Sequence, residues 1–345
     1  MRTMEPLRLA IISPCFNEAQ VLPLTLPRLL SLLGELALRN ECSEDSYIVL
    51  VDDGSRDATW EQVASAAHLH PGRVRGIRLA RNSGHQNALL AGLSYATDRC
   101  DVAISIDADL QDDLEAIPQM LSKHRAGAQI VLGIKKARAP DSLLKSLSAE
   151  AFYKGMRWGG VDLIRNHADF RLMSSKALHN LAKFPEYGVF LRGLQPLLHG
   201  QIETVEYAIS PRLAGQSKYN FRRMVSLALN GVTSFSTAPL RLISLSGLFV
   251  FVISLAFAIY ALAKALAGET LPGWASVTVP LYLLGGMMIL SIGIVGEYVG
   301  KVFLEVKHRP RFLVDEIVEG LSEGGAVSDQ RQLVSATSYR AGGVS

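Results

Sequence analysis

The stretch Val102-Ala-Ile-Ser-Ile106, followed at once by Asp107-Ala-Asp-Leu-Gln111, decides the fold of this chain. The first five residues form a short apolar run, which is typical of a buried strand in a parallel sheet. Two aspartates and a glutamine then follow the predicted end of the strand. Ligands bind at the carboxyl ends of the strands in open α/β sheets, so this junction predicts a ligand site at the edge of a sheet.

Short apolar runs of the same kind alternate with helical patterns as far as Pro211. The predicted strands are 9–13, 47–51, 74–79, 102–106 and 129–132. The predicted helices are 18–38, 59–67, 86–96 and 114–125. This alternation predicts an α/β, Rossmann-like domain with a largely parallel sheet.

The composition separates the chain into a polar part and an apolar part. A mean hydropathy of +0.21 is high for a chain in which 19% of the residues are charged. The net charge of +3 gives no support for a nucleic-acid partner, and none is expected. Three widely spaced cysteines predict free thiols rather than a zinc site or a disulfide framework.

Two long apolar runs follow Arg241, at 242–266 and 277–295. Each is long enough to cross a bilayer, so we expect a hairpin of two transmembrane helices. Two buried helices of a soluble protein are the alternative, but the rest of the chain is too small to cover both on all sides. Basic residues flank the pair, namely Arg222, Arg223 and Arg241 before it and Lys301, Lys307, Arg309 and Arg311 after it. The positive-inside rule then predicts a multi-pass protein of the inner membrane, with the α/β domain and both termini in the cytoplasm.

These patterns divide the chain into four segments. Residues 1–215 form the cytoplasmic α/β domain, and 216–241 form an amphipathic segment along the lipid headgroups. Residues 242–300 hold the two spans. Residues 301–345 form a cytoplasmic tail, which its Gly- and Ser-rich composition predicts to be partly disordered.

Two acidic clusters end two of the predicted strands, at Asp52-Asp53 and at Asp107-Ala-Asp109. Mg²⁺ and Mn²⁺ prefer oxygen ligands and often keep phosphate oxygens as well. Asp107, Asp109 and Gln111 therefore predict part of a metal site that a diphosphate completes. A single Asp-x-Asp is also common in solvated turns, and the second cluster strengthens the metal interpretation.

Four motifs over the first 115 residues resemble the inverting family 2 glycosyltransferases of the GT-A fold. They are Ser13-Pro-Cys-Phe-Asn-Glu18, Val51-Asp-Asp-Gly-Ser-Arg-Asp57, Arg81-Asn-Ser-Gly-His85 and Asp107-Ala-Asp-Leu-Gln111. Later motifs are similar to those of the polyprenyl-phosphate glycosyltransferases, which include dolichyl-phosphate-mannose synthases and bactoprenol glucosyltransferases. They are Asp169-Phe-Arg-Leu-Met173, Phe190-Leu-Arg-Gly193, 212–219 and Ala238-Pro-Leu-Arg241. Two terminal spans followed by Gly296-Glu-Tyr-Val-Gly300 and His308-Arg-Pro-Arg311 fit the bactoprenol branch best.

The resemblance implies a role for each matching residue. The residues implied to contact the nucleotide are Pro14, Asn17, Glu18, Asp52, Asp53, Asn82, Gly84 and Asp107. Among them, Asp52 would contact the base, and Asp53 would support the loop that carries Asp52. The catalytic set is Asp107, Asp109 and Asp169, and the metal set is Asp107, Asp109 and Gln111. The acceptor phosphate falls to Arg171, Arg192, Arg212, Ser217 and Lys218, whose side chains also suit phosphate chemically. We interpret His85 as a loop histidine without a role.

The implied activity is inverting transfer of a sugar from a nucleotide-sugar to undecaprenyl phosphate for modification of a cell-envelope glycan. The expected cofactor is Mg²⁺ or Mn²⁺, the expected donor is UDP-glucose, and the resemblance implies a homotetramer in contact with membrane lipids. A catalytically silent scaffold or accessory subunit is one alternative. A processive polysaccharide synthase is another, although the chain has no Q-x-x-R-W stretch. The sequence leaves open the identity of the sugar and whether Asp169 acts as a base.

Overall fold

A computed structural model of the chain describes residues 5–109, 111–136, 167–184, 200–208, 238–266 and 274–320. The chain divides into two compact units. The first comprises Met1–Ser142, Ile164–Lys218 and Pro310–Ser345, and the second comprises Leu143–Leu163 and Tyr219–Arg309. Each unit is described by itself below.

The first unit is an α/β domain. Its strands are β1 Leu9–Cys15, β2 Tyr47–Asp52, β3 Val74–Leu79, β4 Val102–Ser105, β5 Ile130–Lys135, β6 His167–Ser174, β7 Ile202–Tyr207 and β8 Val314–Glu319. Its helices are α1 Leu22–Leu38, α2 Thr59–Leu69, α3 His85–Ala96, α4 Ala116–Arg125 and α5 Ser175–Ala182.

The eight strands form one sheet in the order β7-β5-β6-β4-β1-β2-β3-β8. The central strands β4, β1, β2 and β3 are parallel, as the sequence predicts. β6 runs antiparallel between β4 and β5, and β8 runs antiparallel to β3 at the edge. β5 and β7 pair in parallel near the other edge, so the sheet is mixed but largely parallel, as the sequence predicts.

The strands β1, β2 and β4 are mostly apolar because both faces of the sheet are covered there. Every residue of β1, β2 and β4 is buried. Helix α1 buries Leu22, Leu29, Leu33 and Leu36, whose spacing follows the helical repeat and places them on one face. This packing fixes the carboxyl ends of β1, β2 and β4 side by side, where the polar motifs begin.

The strand β8 corrects the predicted tail. The sequence predicts 301–345 as a tail separate from the α/β domain, but Val314–Glu319 adds a strand to the sheet of that domain. Arg311 donates a hydrogen bond to the carbonyl of Phe184 at 2.6 Å, and the N–H of Ala80 donates to the carbonyl of Leu313 at 2.9 Å. The chain thus returns to the α/β domain after the apolar helices.

Two long helices belong to the second unit, α6 Ala238–Leu266 and α7 Trp274–Val306. Within the described part of the chain, one stretch is long and apolar enough to cross a membrane, Leu284–Val306 in α7. This stretch begins and ends later than the predicted span at 277–295. The hairpin of two spans stays a prediction, and most of the predicted amphipathic segment at 216–241 lies outside the described residues.

Candidate active site

A cleft of about 300 Å³ opens at the carboxyl edge of the sheet, where the loops after β1, β2, β3 and β4 meet. Its walls include many of the residues predicted to hold a nucleotide-sugar, namely Pro14, Glu18, Asp53, Asn82, Gly84, Asp107 and Asp109. Cys15, Phe16, His85, Ala88 and Ala108 complete the walls. The structure therefore brings together side chains from four separate motifs.

Asn17 connects the loop after β1 to the loop after β2. Its backbone N–H donates to Ser55 Oγ at 2.9 Å, and its side-chain Oδ1 accepts from the N–H of Arg56 at 2.9 Å. The residue has a φ of 56°, a conformation that asparagine tolerates better than most residues. Asn17 is predicted to contact the nucleotide, but it does not line the cleft. Its observed role is to hold two of the cleft loops together.

The two aspartates that end β2 have different environments. Asp52 is fully buried, and its carboxylate accepts from the N–H of Ser55. Asp53 accepts from the N–H groups of Ser83 at 2.7 Å and Gly84 at 2.9 Å. Burial raises the pKa of both carboxyls, and the hydrogen bonds from the backbone oppose that rise. Asp53 thus supports the loop after β3 rather than its own loop, and Asp52 does not line the cleft where a base contact is expected.

Gly54 allows the loops after β2 and β3 to touch. Its φ is +67°, and a Cβ at this position would lie 2.7 Å from backbone atoms of Arg81 and Asn82. A side chain here would therefore push Asn82 away from the wall of the cleft.

Three carboxylates and a histidine meet at one end of the cleft. His85 Nε2 lies 3.5 Å from Asp107 Oδ1 and 3.5 Å from Asp169 Oδ2. Asp109 lines the same cleft. Burial raises the pKa of Asp107 to about 6, the nearby His85 opposes the rise, and the neighbouring carboxylates, Asp169 and Asp109 among them, add to it. The arrangement concentrates negative charge where a cation would bind.

Asp169 is held at its position from several sides. Arg171 donates from Nη2 to Asp169 Oδ1 and from Nε to the Asp169 carbonyl, and Ser105 Oγ donates to the same carbonyl. The Asp169 side chain is 12% exposed, and that of Arg171 only 1%. The contact of Arg171 with the acceptor phosphate stays a prediction, and the burial of its guanidinium and its pairing with Asp169 do not favour it.

The predicted metal site is present only in part. Asp107 and Asp109 present carboxylates to the cleft, but Gln111 does not line it, and its N–H donates to Asp109 Oδ1 at 3.2 Å. No group of three His, Cys, Asp or Glu side chains able to hold a metal occurs among the residues that the structure describes. Two hard oxygen donors beside an open cleft fit a divalent cation whose remaining ligands come from a diphosphate.

Four of the predicted acceptor residues, Arg192, Arg212, Ser217 and Lys218, lie outside the described residues. Five residues of the cleft wall have no role in the sequence interpretation, namely Cys15, Phe16, His85, Ala88 and Ala108. Of these, Phe16, which is 43% exposed, and His85 carry aromatic rings. The signal for both was available, since each lies inside a motif whose neighbours were assigned to the site.

Comparison with known proteins agrees with this geometry. The profile of Glycosyl transferase family 2 matches residues 10–182, which contain the whole cleft. An uncharacterized glycosyltransferase of Bacillus subtilis, YkoT, is 43% identical over 91% of this chain and 93% of its own. The bactoprenol glucosyl transferase of Shigella phage SfX is 37% identical over 89% of this chain and 99% of its own.

A solved structure, the mannosyltransferase PcManGT from Pyrobaculum calidifontis in complex with GDP-Man and Mn²⁺, is similar at 17% identity and a TM-score of 0.47. It covers 88% of this chain and 86% of its own, and the similarity is too distant to support a functional conclusion. The family profile and the sequence relatives are sufficient: the chain is a glycosyltransferase and belongs to glycosyl transferase family 2.

Proposed function

We propose that this glycosyltransferase transfers glucose from UDP-glucose to undecaprenyl phosphate, with inversion at the anomeric carbon. The observation that carries the proposal is the pair Asp107 and Asp109, which faces a cleft with Asp53, Asn82 and Gly84 on its walls. Relatives named bactoprenol glucosyl transferase align over 89% of the chain or more, which supports the lipid phosphate as acceptor and glucose as the sugar.

Two parts of the cleft suit the base and the diphosphate of a nucleotide-sugar. Phe16 presents an exposed aromatic ring on the wall formed after β1, where a base could stack. Gly84 and His85 bring the amino end of α3 to the cleft, and a helix start favours the negative charge of a diphosphate. Asp107 and Asp109 are the residues that would hold Mg²⁺ or Mn²⁺, which supplies neutralisation of the leaving diphosphate when bound.

The reaction needs little proton transfer. An oxygen of the lipid phosphate forms the new bond to the anomeric carbon, the bond from that carbon to the diphosphate oxygen breaks, and the electron pair leaves with UDP. The attacking phosphate is already ionised at neutral pH, so no general base has to remove a proton from it. Positioning and electrostatic stabilisation then account for most of the rate.

The surroundings of Asp169 suit the role of a fixed hydrogen-bond acceptor better than that of a general base. The buried guanidinium of Arg171 donates to its Oδ1, which stabilises the ionised carboxylate. A carboxylate held in this way is a well-oriented acceptor for a hydrogen bond from a sugar hydroxyl. We therefore assign Asp169 to the sugar.

The apolar helices support attachment to the cytoplasmic membrane, where the lipid acceptor lies. In α7, Ile289 is 73% exposed and Ile292 65% exposed, and in α6 Leu245 and Phe249 are both 67% exposed. Apolar side chains exposed to this extent along two helices fit lipid contact on both. The proposal therefore keeps two spans, with the α/β domain on the cytoplasmic side.

The test uses the full-length protein in detergent with undecaprenyl phosphate and a panel of labelled nucleotide-sugars. We expect Mg²⁺- or Mn²⁺-dependent transfer from UDP-glucose, and loss of at least about 100-fold of the turnover in Asp109→Asn. Asp45→Asn, an exposed aspartate in the loop before β2, is the control for the same chemical change and should keep full turnover. Near-normal turnover in Asp109→Asn would defeat the metal assignment, and transfer from another donor alone would defeat the choice of UDP-glucose.

A further inference from the structure

His85 lies at the point where the donor side of the cleft meets Asp169. Its Nε2 is 3.5 Å from a carboxylate oxygen of Asp107 and 3.5 Å from one of Asp169. These aspartates come from different elements, since Asp107 follows β4 and Asp169 lies in β6. One imidazole therefore contacts the proposed metal ligand and the proposed sugar contact at the same time.

The backbone under His85 is firmly held. His85 is the first residue of α3, and the preceding Gly84 has a φ of 93° and donates its N–H to Asp53. Asn87 Nδ2 donates to the carbonyl of Ser83 at 2.8 Å, which closes the turn from the other side. The ring, which is 44% exposed, thus projects from a fixed helix start rather than from a loose loop.

The two oxygens of Asp169 have separate partners. Oδ1 accepts from the buried Arg171, and Oδ2 faces His85 Nε2. Arg171 anchors the carboxylate from inside the domain, while His85 faces it from the cleft. A contact of 3.5 Å is at the long end of hydrogen bonding, and such contacts commonly shorten when a substrate binds.

We propose that His85 is a positioning residue that orients the Asp169 carboxylate toward the sugar and separates it from Asp107. The role rests on the proposed function, because it assigns Asp169 to the sugar and Asp107 to the metal and diphosphate. It requires only an N–H donor at Nε2, which a neutral ring can provide as well as a charged one. Without the ring, the N–H donor that faces both carboxylates would be lost.

The kinetic test compares His85→Ala with His85→Gln in the full-length enzyme, with His68→Ala as control. His68 is exposed on α2, so its loss removes a histidine without touching the cleft. We expect His85→Ala to lower kcat by about 10- to 100-fold, because small misplacements of a reacting group cost rates of that size. The Kd for UDP with Mn²⁺ should change less than about twofold, and His85→Gln, which restores an N–H donor, should recover most of kcat.

A double variant isolates the coupling to Asp169. If His85 acts through Asp169, then His85→Ala should slow an Asp169→Asn enzyme by less than about twofold. Equal slowing in both backgrounds would overturn the proposal, as would an effect of His85→Ala on nucleotide affinity alone.

A crystal structure of His85→Ala gives a readout that does not depend on transfer. We expect Asp169 Oδ2 to leave the position that it has in the native protein, and an unmoved carboxylate would overturn the positioning role. A wild-type enzyme that transfers no sugar to undecaprenyl phosphate would instead defeat the proposed function, and the position of Asp169 would still decide the role of His85.

Discussion

Replacing Arg171 by methionine tests whether this arginine holds Asp169 or grips a substrate. Arg171 lies in β6 between β4 and β5, with Ser105 and Leu132 as its strand partners. Its side chain is 1% exposed and donates to the Asp169 carboxylate. Methionine fills a similar volume but removes the charge, so the Asp169 carboxylate loses the guanidinium that donates to its Oδ1.

The expected cost follows from the burial of the pair. Removing one partner of a buried ion pair costs about 3–5 kcal/mol, because the other charge is left without compensation. Asp169 is 12% exposed and still faces His85, so we take the lower end, about 3 kcal/mol. A domain of this size loses about 2–4 °C of Tm per kcal/mol, which gives a decrease of roughly 6–12 °C.

The assay is thermal unfolding of the full-length protein in detergent, followed by near-UV circular dichroism. The double variant Arg171→Met with Asp169→Asn should regain much of the lost Tm, since no unpaired charge remains. Arg39→Met is the control, because Arg39 is 60% exposed and its 4.0 Å pair with Glu35 is worth less than about 0.5 kcal/mol. An unchanged Tm together with a raised KM for the lipid phosphate would refute this reasoning and restore Arg171 as an acceptor ligand.

Three further predictions concern the loops and edges of the domain. Gly54→Ala should lower Tm more than Gly72→Ala. Both positions have a positive φ, which costs an alanine about 1–2 kcal/mol of stability, but only at Gly54 would the new Cβ meet backbone atoms. Equal decreases in Tm would contradict this expectation. His179 faces acceptors at both ring nitrogens, 2.7 and 2.6 Å away, so bonding to Ser175 O and to Asp98 raises its pKa. The pair therefore stabilises the fold below about pH 6.5 and loses this effect as pH rises through the higher folded pKa. Asp98→Asn should lower the free energy of unfolding near pH 6 by less than about 1 kcal/mol, because the pair is exposed, and should not lower it near pH 9. An equal loss at both pH values would contradict the role of the charged histidine. Tyr95→Phe should lower the free energy of unfolding by about 1–3 kcal/mol and speed amide hydrogen exchange in β8, because the Tyr95 hydroxyl donates to Glu319, the last residue of that strand. Unchanged exchange in β8 would contradict a stabilising role for this contact.

The centre of the sheet was predictable because it is buried on both faces. Strands β1, β2 and β4 read as continuous apolar runs, and the helices between them show an apolar stripe. The polar motifs come directly after these runs, so their meeting at one edge followed from the direction of the strands. For the same reason the cleft contains Asp107 and Asp109, as the sequence indicates.

The outer strands gave weaker signals. β7 reads Ile-Glu-Thr-Val-Glu-Tyr and β8 reads Val-Asp-Glu-Ile-Val-Glu, so half of each is polar. β8 also pairs with β3, more than 200 residues earlier in the chain, and no local pattern reveals a partner at that distance. Its edge position, with four of six residues exposed, removes the apolar run that identified the central strands.

The roles of His85 and Arg171 depend on contacts that a sequence motif does not reveal. For Arg171, however, the spacing along the strand indicates the partner. Asp169 and Arg171 are two residues apart in β6, and side chains at that spacing lie on the same face of a strand. If this segment is a buried strand, Arg171 must be paired, because an unpaired buried charge is too costly. The nearest carboxylate on the same face of the strand is that of Asp169. An arginine in a buried strand is therefore a poor candidate for a phosphate ligand, however well its chemistry suits phosphate. His85 left no such pattern, because its two partners follow from how α3 is placed against the ends of β4 and β6, and that placement is a property of the packed domain.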